Sequence, residues 1–198
     1  MPIVGTAQVA RVRSVGIDTV QAMTDGLLAA LKQEAPEATF IGRYVDSLTP
    51  EEVARIQGAG YSILPLTYAD EFDPAPRLQK LFALGCPPNV TTILDVESVS
   101  LGVADTIARI NAWAAKFKEA QLDPGAYVGA GAGLTAEQWT ALAVDRYMRS
   151  CSLVPVPQEG FCVLQLFPPN QHLGGGLVVD WDVIEQDFER RTPVLWAP

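Results

Sequence analysis

The regular alternation of short apolar segments with amphipathic segments constrains this sequence more than any other feature. Five times in succession, a segment typical of a buried strand is followed by one with helical periodicity. Parallel strands need crossover connections of this kind, so the pattern predicts an α/β fold with a mainly parallel sheet. The five predicted strands are 14–20, 39–45, 61–68, 91–98 and 125–130. Pro65 lacks an N–H group, and we expect strand pairing to stop there.

Residues that favour the start of a helix support the prediction that the segments between these strands are helical. Thr24 or Asp25 is suited to cap the first helix, Thr49 followed by Pro50 the second, and Thr135 the last. The five predicted helices are 24–35, 48–60, 74–85, 103–119 and 136–144.

The spacing changes after the fifth unit, where three further strands follow with short connections. These strands are predicted at 146–154, 161–167 and 176–184, and the segments between them are too short for crossover helices. Eight strands close a small barrel with a filled interior. We therefore predict a TIM-like (β/α) barrel of the (β/α)5β3 type with irregular last three strands. In this division, residues 1–13 are an N-terminal extension, 14–190 the barrel domain and 191–198 a C-terminal tail.

Composition excludes several classes of partner and cofactor. A chain of 198 residues with net charge -9 and scattered Lys and Arg residues is unsuited to nucleic acid. No apolar run reaches the length of about 18 residues that membrane insertion needs. Three cysteines without a CxxC pair and a single histidine predict neither a metal site nor a cofactor. No signal peptide is visible, which leaves a cytoplasmic, phage-borne or processed secreted protein open.

Acidic residues follow several of the predicted strands. The carboxyl ends of parallel barrel strands converge on one mouth, where functional groups gather. We expect four carboxylates there as the catalytic set: Asp18, Asp95, Glu97 and Asp180. The alternative for each is a structural role, as a helix cap or as the partner of an arginine such as Arg43.

Asp95 and Glu97 are spaced to act together. Two residues apart on a strand, they would project from one face about 6 to 7 Å apart. Like charges at that range raise the pKa of one carboxyl, so that an acid stands beside a carboxylate, as glycoside hydrolysis requires. The longer side chain of Glu97 favours it as the acid.

Other side chains at the predicted mouth are candidates for ligand binding. Aromatic rings stack on sugars, polar groups bind hydroxyls, and an arginine contacts a ligand or orients a carboxylate. The candidates are Arg43, Tyr68, Tyr127, Gln165, Trp181 and Asp182. Each aromatic ring has a core position as its alternative. The GAGAG segment at 129–133 is interpreted as a tight strand-to-helix loop.

These motifs occur in a recognisable order along the chain. The series GIDT, FIGRY, LTPEE, ILDVES, GAYVG, LQLF and VVDWDVI resembles the glycoside-hydrolase-like domains of the "domain of unknown function 1906" group, over roughly residues 14–188. That group is related to family 25 glycoside hydrolases, the Chalaropsis-type lysozymes. The resemblance implies a barrel whose last strands lack regular helices, with Glu97 as general acid and Asp18, Asp95 and Asp180 assisting it.

Two functional hypotheses follow from the sequence. The first is a hydrolase that cleaves O-glycosidic bonds of cell-wall peptidoglycan or a related polysaccharide by carboxylate acid/base catalysis. The second is a catalytically inactive barrel that binds carbohydrate or serves as a module of a larger phage or cell-envelope assembly. A phosphodiesterase-type barrel ranks last, because one histidine is too few for its usual metal site.

Overall fold

Eight strands of the chain form a closed barrel in a computed structural model that describes residues 4–69, 72–97, 101–152 and 154–198. The described residues contain eleven strands, of which β2 to β8 and β10 form the barrel: β1 (Thr6–Val9), β2 (Val15–Thr19), β3 (Ala38–Tyr44), β4 (Ser62–Tyr68), β5 (Thr91–Asp95), β6 (Asp123–Val128), β7 (Arg146–Arg149), β8 (Phe161–Gln165), β9 (Gln171–Leu173), β10 (Leu177–Ile184) and β11 (Val194–Ala197). The helices are α1 (Asp25–Glu34), α2 (Pro50–Gly58), α3 (Pro74–Leu84), α4 (Val103–Glu119) and α5 (Ala136–Thr140).

The barrel strands follow one another in the order β4, β3, β2, β10, β8, β7, β6 and β5, and a β4–β5 pairing closes the ring. The predicted mixed α/β barrel is therefore confirmed. After β7, the described residues contain only strands and a short 3-10 turn, so the last barrel strands have no helical cover of their own.

The direction of the last barrel strand differs from the prediction. All neighbours from β2 to β8 along the chain run parallel, but β10 is antiparallel to both β8 and β2. The sequence pattern predicts Asp180 and Asp182 at the carboxyl end of a parallel strand, which is wrong. Asp180 instead reaches the mouth because the earlier half of an antiparallel strand lies beside the carboxyl end of β2, opposite Asp18.

Side-chain caps begin three of the helices as predicted. The hydroxyl oxygens of Thr24, Thr49 and Thr135 each accept a hydrogen bond from a backbone N–H in the first turn of their helix. Helix α5 ends at Thr140, four residues earlier than expected. The chain turns there, and the N–H of Ala143 donates to the side chain of Asn111 in α4 at 2.7 Å.

The expectation that pairing stops at Pro65 is wrong. Pro65 pairs with Arg43 of β3, and β4 continues to Tyr68 beside β5. On its other edge, β4 pairs first with β11 at Ile63 and then with β5 from Leu66 onward. The missing N–H of Pro65 falls between these two ladders.

The segments before and after the barrel strands are themselves paired strands. Strand β1 pairs with β11 in antiparallel register, and β11 pairs with β4 near the end of the barrel opposite the mouth. Ala10 and Leu195 pack into the lower barrel interior from these segments. Neither strand was predicted from the sequence, which suggested an extension and a tail.

Strand periodicity divides the core into two layers. Alternate residues such as Phe40, Leu64 and Ile93 fill the barrel interior. The residues between them, such as Ile41 and Ile63, pack outward against the helices. This alternation decides which polar side chains reach the mouth.

The three cysteines are free thiols. Burial raises the pKa of both Cys86 and Cys162 to about 12, while Cys151 is only partly buried. In the described ranges, no helix combines the length and apolar character that a membrane crossing requires.

Candidate active site

A small cavity of about 60 Å³ opens at the mouth, where the parallel strands end. All four predicted catalytic carboxylates line it: Asp18, Asp95, Glu97 and Asp180. The other polar lining residues are Tyr44, Tyr127 and Gln165, and the apolar floor is Leu66, Ile93 and Met148. No lysine, arginine or histidine lines this cavity among the described residues, so its charge is negative.

Asp95 and Glu97 reach this cavity by a route that differs from the predicted one. Strand β5 ends at Asp95, so the two residues do not share one strand face. Glu97 lies in the bend that follows, and its N–H donates to Oδ1 of Asp95 at 3.2 Å. Strand alternation with Ile93 points Asp95 inward, and the turn after the strand brings Glu97 beside it.

The Asp95 carboxylate is held by two donors. The Tyr44 hydroxyl donates to its Oδ2 at 2.8 Å, and the Glu97 N–H donates to its Oδ1. Burial raises the pKa of Asp95, and these two hydrogen bonds oppose that rise because they stabilise the ionised form. Asp95 is therefore a fixed, partly buried carboxylate.

Glu97 is more exposed than Asp95 and stands at the edge of the cavity. Partial burial raises its pKa, the negative charge of Asp95 raises it further, and contact with the Tyr127 hydroxyl lowers it. Both effects that raise the pKa favour the protonated carboxyl, which is the form that can donate a proton.

The GAGAG loop fixes the backbone at Glu97. Residues 130–132 form a 3-10 turn, and a Cβ on Gly131 would overlap the carbonyl oxygen of Glu97. A Cβ on Gly129 would lie 3.3 Å from Oε1 of Glu97. The predicted tight loop thus brings its backbone against the proposed acid, which a larger residue at position 131 would displace.

Asp18 is the most buried of the four carboxyl groups at the mouth, with 9% of its surface exposed. Burial raises the pKa of Asp18 to about 7, with a further contribution from the charge of Asp180. Gly42 on the neighbouring strand leaves space for it, because a Cβ there would lie only 2.6 Å from that of Asp18.

Gln165 connects opposite sides of the mouth. Its Oε1 accepts a hydrogen bond from the Tyr127 hydroxyl at 2.7 Å, which directs its amide nitrogen toward the carboxylates. That nitrogen donates to Asp180 at 2.8 Å and lies 3.4 Å from Asp18. The N–H of Asn170 donates to the second oxygen of Asp180. Asp180 and Gln165 therefore hold each other in place.

Two of the predicted ligand-binding residues lie outside the mouth. The Arg43 side chain is fully buried on the outer face of β3, where it bonds Glu52 at 2.8 Å and the carbonyl oxygen of Thr19 at 2.7 Å. Trp181 packs against the core outside the barrel. Strand periodicity explains both positions, since each residue alternates with inward neighbours.

The remaining candidates divide between the rim and the interior. Tyr68 is 37% exposed and stacks on Tyr44, with ring centroids 4.1 Å apart and planes inclined by 13°. Asp182 lies below the cavity and does not line it. Tyr44 was not predicted, although the inward alternation of Phe40, Gly42 and Tyr44 could have identified it.

Comparison with known proteins links this architecture to several solved structures. No protein-family model and no curated protein sequence matches the chain. An uncharacterized protein of B. stearothermophilus is similar in structure, with a TM-score of 0.70 and 19% identity over 86% of this chain and 95% of that one.

Two further structures have names that indicate an activity. The catalytic domain of endolysin ply40 from bacteriophage P40 of Listeria monocytogenes has a TM-score of 0.53 and 12% identity, covering 88% of this chain and 94% of that one. GHIP, a glycosyl hydrolase 25 of Streptococcus pneumoniae, has a TM-score of 0.56 and 14% identity, covering 87% of both. At these identities the likeness shows the fold alone, which is a TIM-like barrel similar to that of a glycosyl hydrolase 25.

Proposed function

We propose that this protein is a glycoside hydrolase that cleaves O-glycosidic bonds of peptidoglycan or a related polysaccharide. The proposal depends most on one observation, the joint presence of Asp95 and Glu97 in a cavity lined by two further carboxylates. Membership of the "domain of unknown function 1906" group, suggested by the sequence motifs, is part of the same proposal.

Glu97 is proposed as the general acid that protonates the leaving oxygen. It stands at the cavity edge, where a substrate oxygen can approach, and its pKa is raised by burial and by Asp95. Both oxygens of Asp95 accept hydrogen bonds, and the one from Tyr44 favours the ionised form against the effect of burial. The pair thus supplies an acid beside a carboxylate, as glycoside hydrolysis requires.

The other two carboxylates are suited to stabilise positive charge. As the glycosidic bond breaks, the sugar ring acquires oxocarbenium character. Asp18 and Asp180 face the same space, and the cavity has no cationic side chain among the described residues to neutralise them. At a pH above about 7, where Asp18 is ionised, such fixed negative groups lower the barrier because they need no reorganisation.

The size of the cavity indicates how a sugar would bind. A buried water occupies roughly 10 to 15 Å³ on the same scale, so a cavity of about 60 Å³ holds only a few waters. A sugar ring would therefore lie across the mouth, with the reacting atoms above the carboxylates. The exposed ring of Tyr68, stacked on Tyr44, offers an apolar face at that level.

The same small cavity favours a second candidate function. A barrel whose mouth admits little of the ligand is suited to bind carbohydrate without turning it over, as a recognition or structural module of a phage or cell-envelope assembly. The structurally similar catalytic domain of endolysin ply40 comes from a phage, which makes a phage assembly a reasonable candidate for the module.

The deciding experiment is release of reducing ends or muropeptides from purified peptidoglycan and a panel of neutral glycans. The wild type is compared with Glu97→Gln and with Glu37→Gln, a matched control at an exposed position remote from the mouth. Hydrolase function predicts release by the wild type and the control, with a loss of at least about a hundredfold in Glu97→Gln. Absence of release from every substrate, with glycan binding intact, would refute it and favour the binding module.

A further inference from the structure

Asp182 occupies an unusual place for an acidic residue. It lies on the inward face of β10, paired in register with Gly16 of β2 and Gln165 of β8, and no part of it is exposed. The next inward residue of the strand, Ile184, already belongs to the apolar barrel interior. Asp182 is thus one layer beneath the cavity and outside the reach of a substrate.

The surroundings of Asp182 contain no donor for its carboxylate. Neither oxygen accepts a hydrogen bond from an N–H or hydroxyl group of the described residues. The charged groups that face it are Asp18 of β2, with which its carboxyl is in hydrogen-bond contact, and Asp180 of its own strand. The neighbouring amide of Gln165 donates to Asp180 and Asp18 instead.

Two ionised carboxylates cannot form the contact between Asp182 and Asp18. Both would only accept hydrogen bonds, and both would carry negative charge in a space shielded from water. A metal ion is not an alternative within the described ranges, where no three His, Cys, Asp or Glu side chains are placed to share one. The remaining partner that fits between the two carboxyl groups is a proton.

We propose that Asp182 stores a proton beneath the mouth and donates it in a hydrogen bond to Asp18, which makes Asp182 a positioning residue for Asp18. The proton resides on Asp182 because this side chain is the more buried of the two. Burial and the charge of Asp18 both raise the pKa of Asp182 well above its usual range, in agreement with this assignment. The same hydrogen bond lowers the pKa of Asp18 and so favours its ionised form.

The stored proton also has a consequence for catalysis, and that part of the inference rests on the proposed function. Asp18 can stabilise a developing positive charge only while it is ionised. A protonated Asp182 keeps it ionised over a wider pH range than burial alone would allow, and fixes the direction of its carboxylate.

The test is a ¹³C NMR titration of the aspartate carboxyl groups in the whole protein, which needs no turnover. Asp182→Asn and Asp18→Asn assign the two signals. In the wild type, the Asp182 carboxyl should remain protonated at about pH 7, where exposed aspartates are ionised. A titration of Asp182 near its ordinary pKa of about 4 would overturn the proposal.

Two substitutions of Asp182 separate the hydrogen bond from simple packing. Asparagine still donates to Asp18 and should leave the titration midpoint of Asp18 within about half a unit of wild type. Leucine cannot donate, and should raise the proton affinity of Asp18 at least about tenfold, which is one unit of pKa. Equal midpoints in the Asp182→Asn and Asp182→Leu variants would refute the positioning role. If Asp182→Leu fails to fold, the wild-type and Asp182→Asn titrations still decide whether Asp182 holds the proton.

A second readout keeps this inference separate from the proposed function. If the wild type hydrolyses glycans, Asp182→Leu should shift the acidic side of its pH profile upward, and Asp182→Asn should not. If no glycan is cleaved, the proposed function fails, while the NMR titration still confirms or refutes the stored proton.

Discussion

Replacing Asp18 with asparagine should stabilise the protein at neutral pH and change the pH dependence of its folding. Burial raises the pKa of Asp18 from 3.8 to about 7. Between these values, the unfolded chain has released the proton while the native state retains it. The free energy of unfolding of the wild type therefore falls as the pH rises from about 4 to about 7. Above that range, Asp18 causes no further change in this free energy with pH.

The size of the effect follows from the width of that window. The difference between about 7 and 3.8 is about 3.2 units, and each unit corresponds to about 1.4 kcal/mol, so Asp18 destabilises the native state by about 4 kcal/mol at neutral pH. Only 9% of the side chain is exposed, so solvent screening reduces this figure little. An asparagine side chain at this position does not ionise in either state and removes the penalty.

Urea unfolding at about pH 4 and about pH 8 measures the effect, with the fluorescence of the buried residues Trp113, Trp139 and Trp196 as the probe. The difference in unfolding free energy between Asp18→Asn and the wild type should be about 4 kcal/mol larger at the higher pH. Any packing cost of asparagine is common to both conditions and cancels. Glu37→Gln, an exposed substitution of the same kind, should show no such difference. A difference below about 1 kcal/mol for Asp18→Asn would refute the reasoning.

Three further substitutions test the surroundings of the mouth. Glu52→Gln removes the buried partner of Arg43 and should lower the free energy of unfolding by about 3 kcal/mol, measured by urea unfolding. Gly131→Ala should displace the backbone at Glu97 and reduce glycan turnover at least about tenfold, measured by reducing-end release. Tyr44→Phe removes a donor from the carboxylate that ends β5, and should raise the pKa of that carboxylate and the acidic side of the pH profile by roughly one unit.

Matched variants define what would contradict these outcomes. Glu51→Gln, next to Glu52 but solvent-exposed, should leave stability almost unchanged, and an equal loss in both would contradict the ion-pair argument. Gly58→Ala has open space around the new methyl group and should retain turnover, so equal losses in both glycine variants would exclude a specific contact at position 131. An unchanged pH profile in Tyr44→Phe would show that this hydroxyl does not control the carboxylate.

Much of the barrel was predictable because its strands and helices have strong local signals. Threonine caps and the alternation of apolar segments located the helices to within a few residues, and helix α4 was predicted with both ends correct. Strand direction has no such signal. The antiparallel course of β10 depends on its short connections, which permit either direction from β8. The paired strands β1 and β11 were missed because four residues each are too short for periodicity to be informative.

The candidate site was predictable in residue type but only partly in geometry. Acidic residues at strand ends identified the four carboxylates of the mouth, while the turn that carries Glu97 depends on a hydrogen bond to Asp95. Arg43 lies outside the mouth because it alternates along β3 with the inward-facing Tyr44, and a position at the end of a strand does not by itself indicate this. The contact between Asp182 and Asp18 arises from pairing between distant strands, which a single sequence does not specify.

The register between β10 and β2 makes this barrel sensitive to strand slippage. Strand β10 turns Val179 and Trp181 outward, and it turns Asp180 and Asp182 inward. A slip of one residue would exchange these faces and place Trp181 where a carboxylate now stands. Of the inward residues Asp180, Asp182 and Ile184, only Ile184 is apolar, so hydrophobic burial inside the barrel opposes such a slip only weakly. The packing of Val179 and Trp181 against the main core, outside the barrel, therefore contributes most of the hydrophobic preference for the correct register.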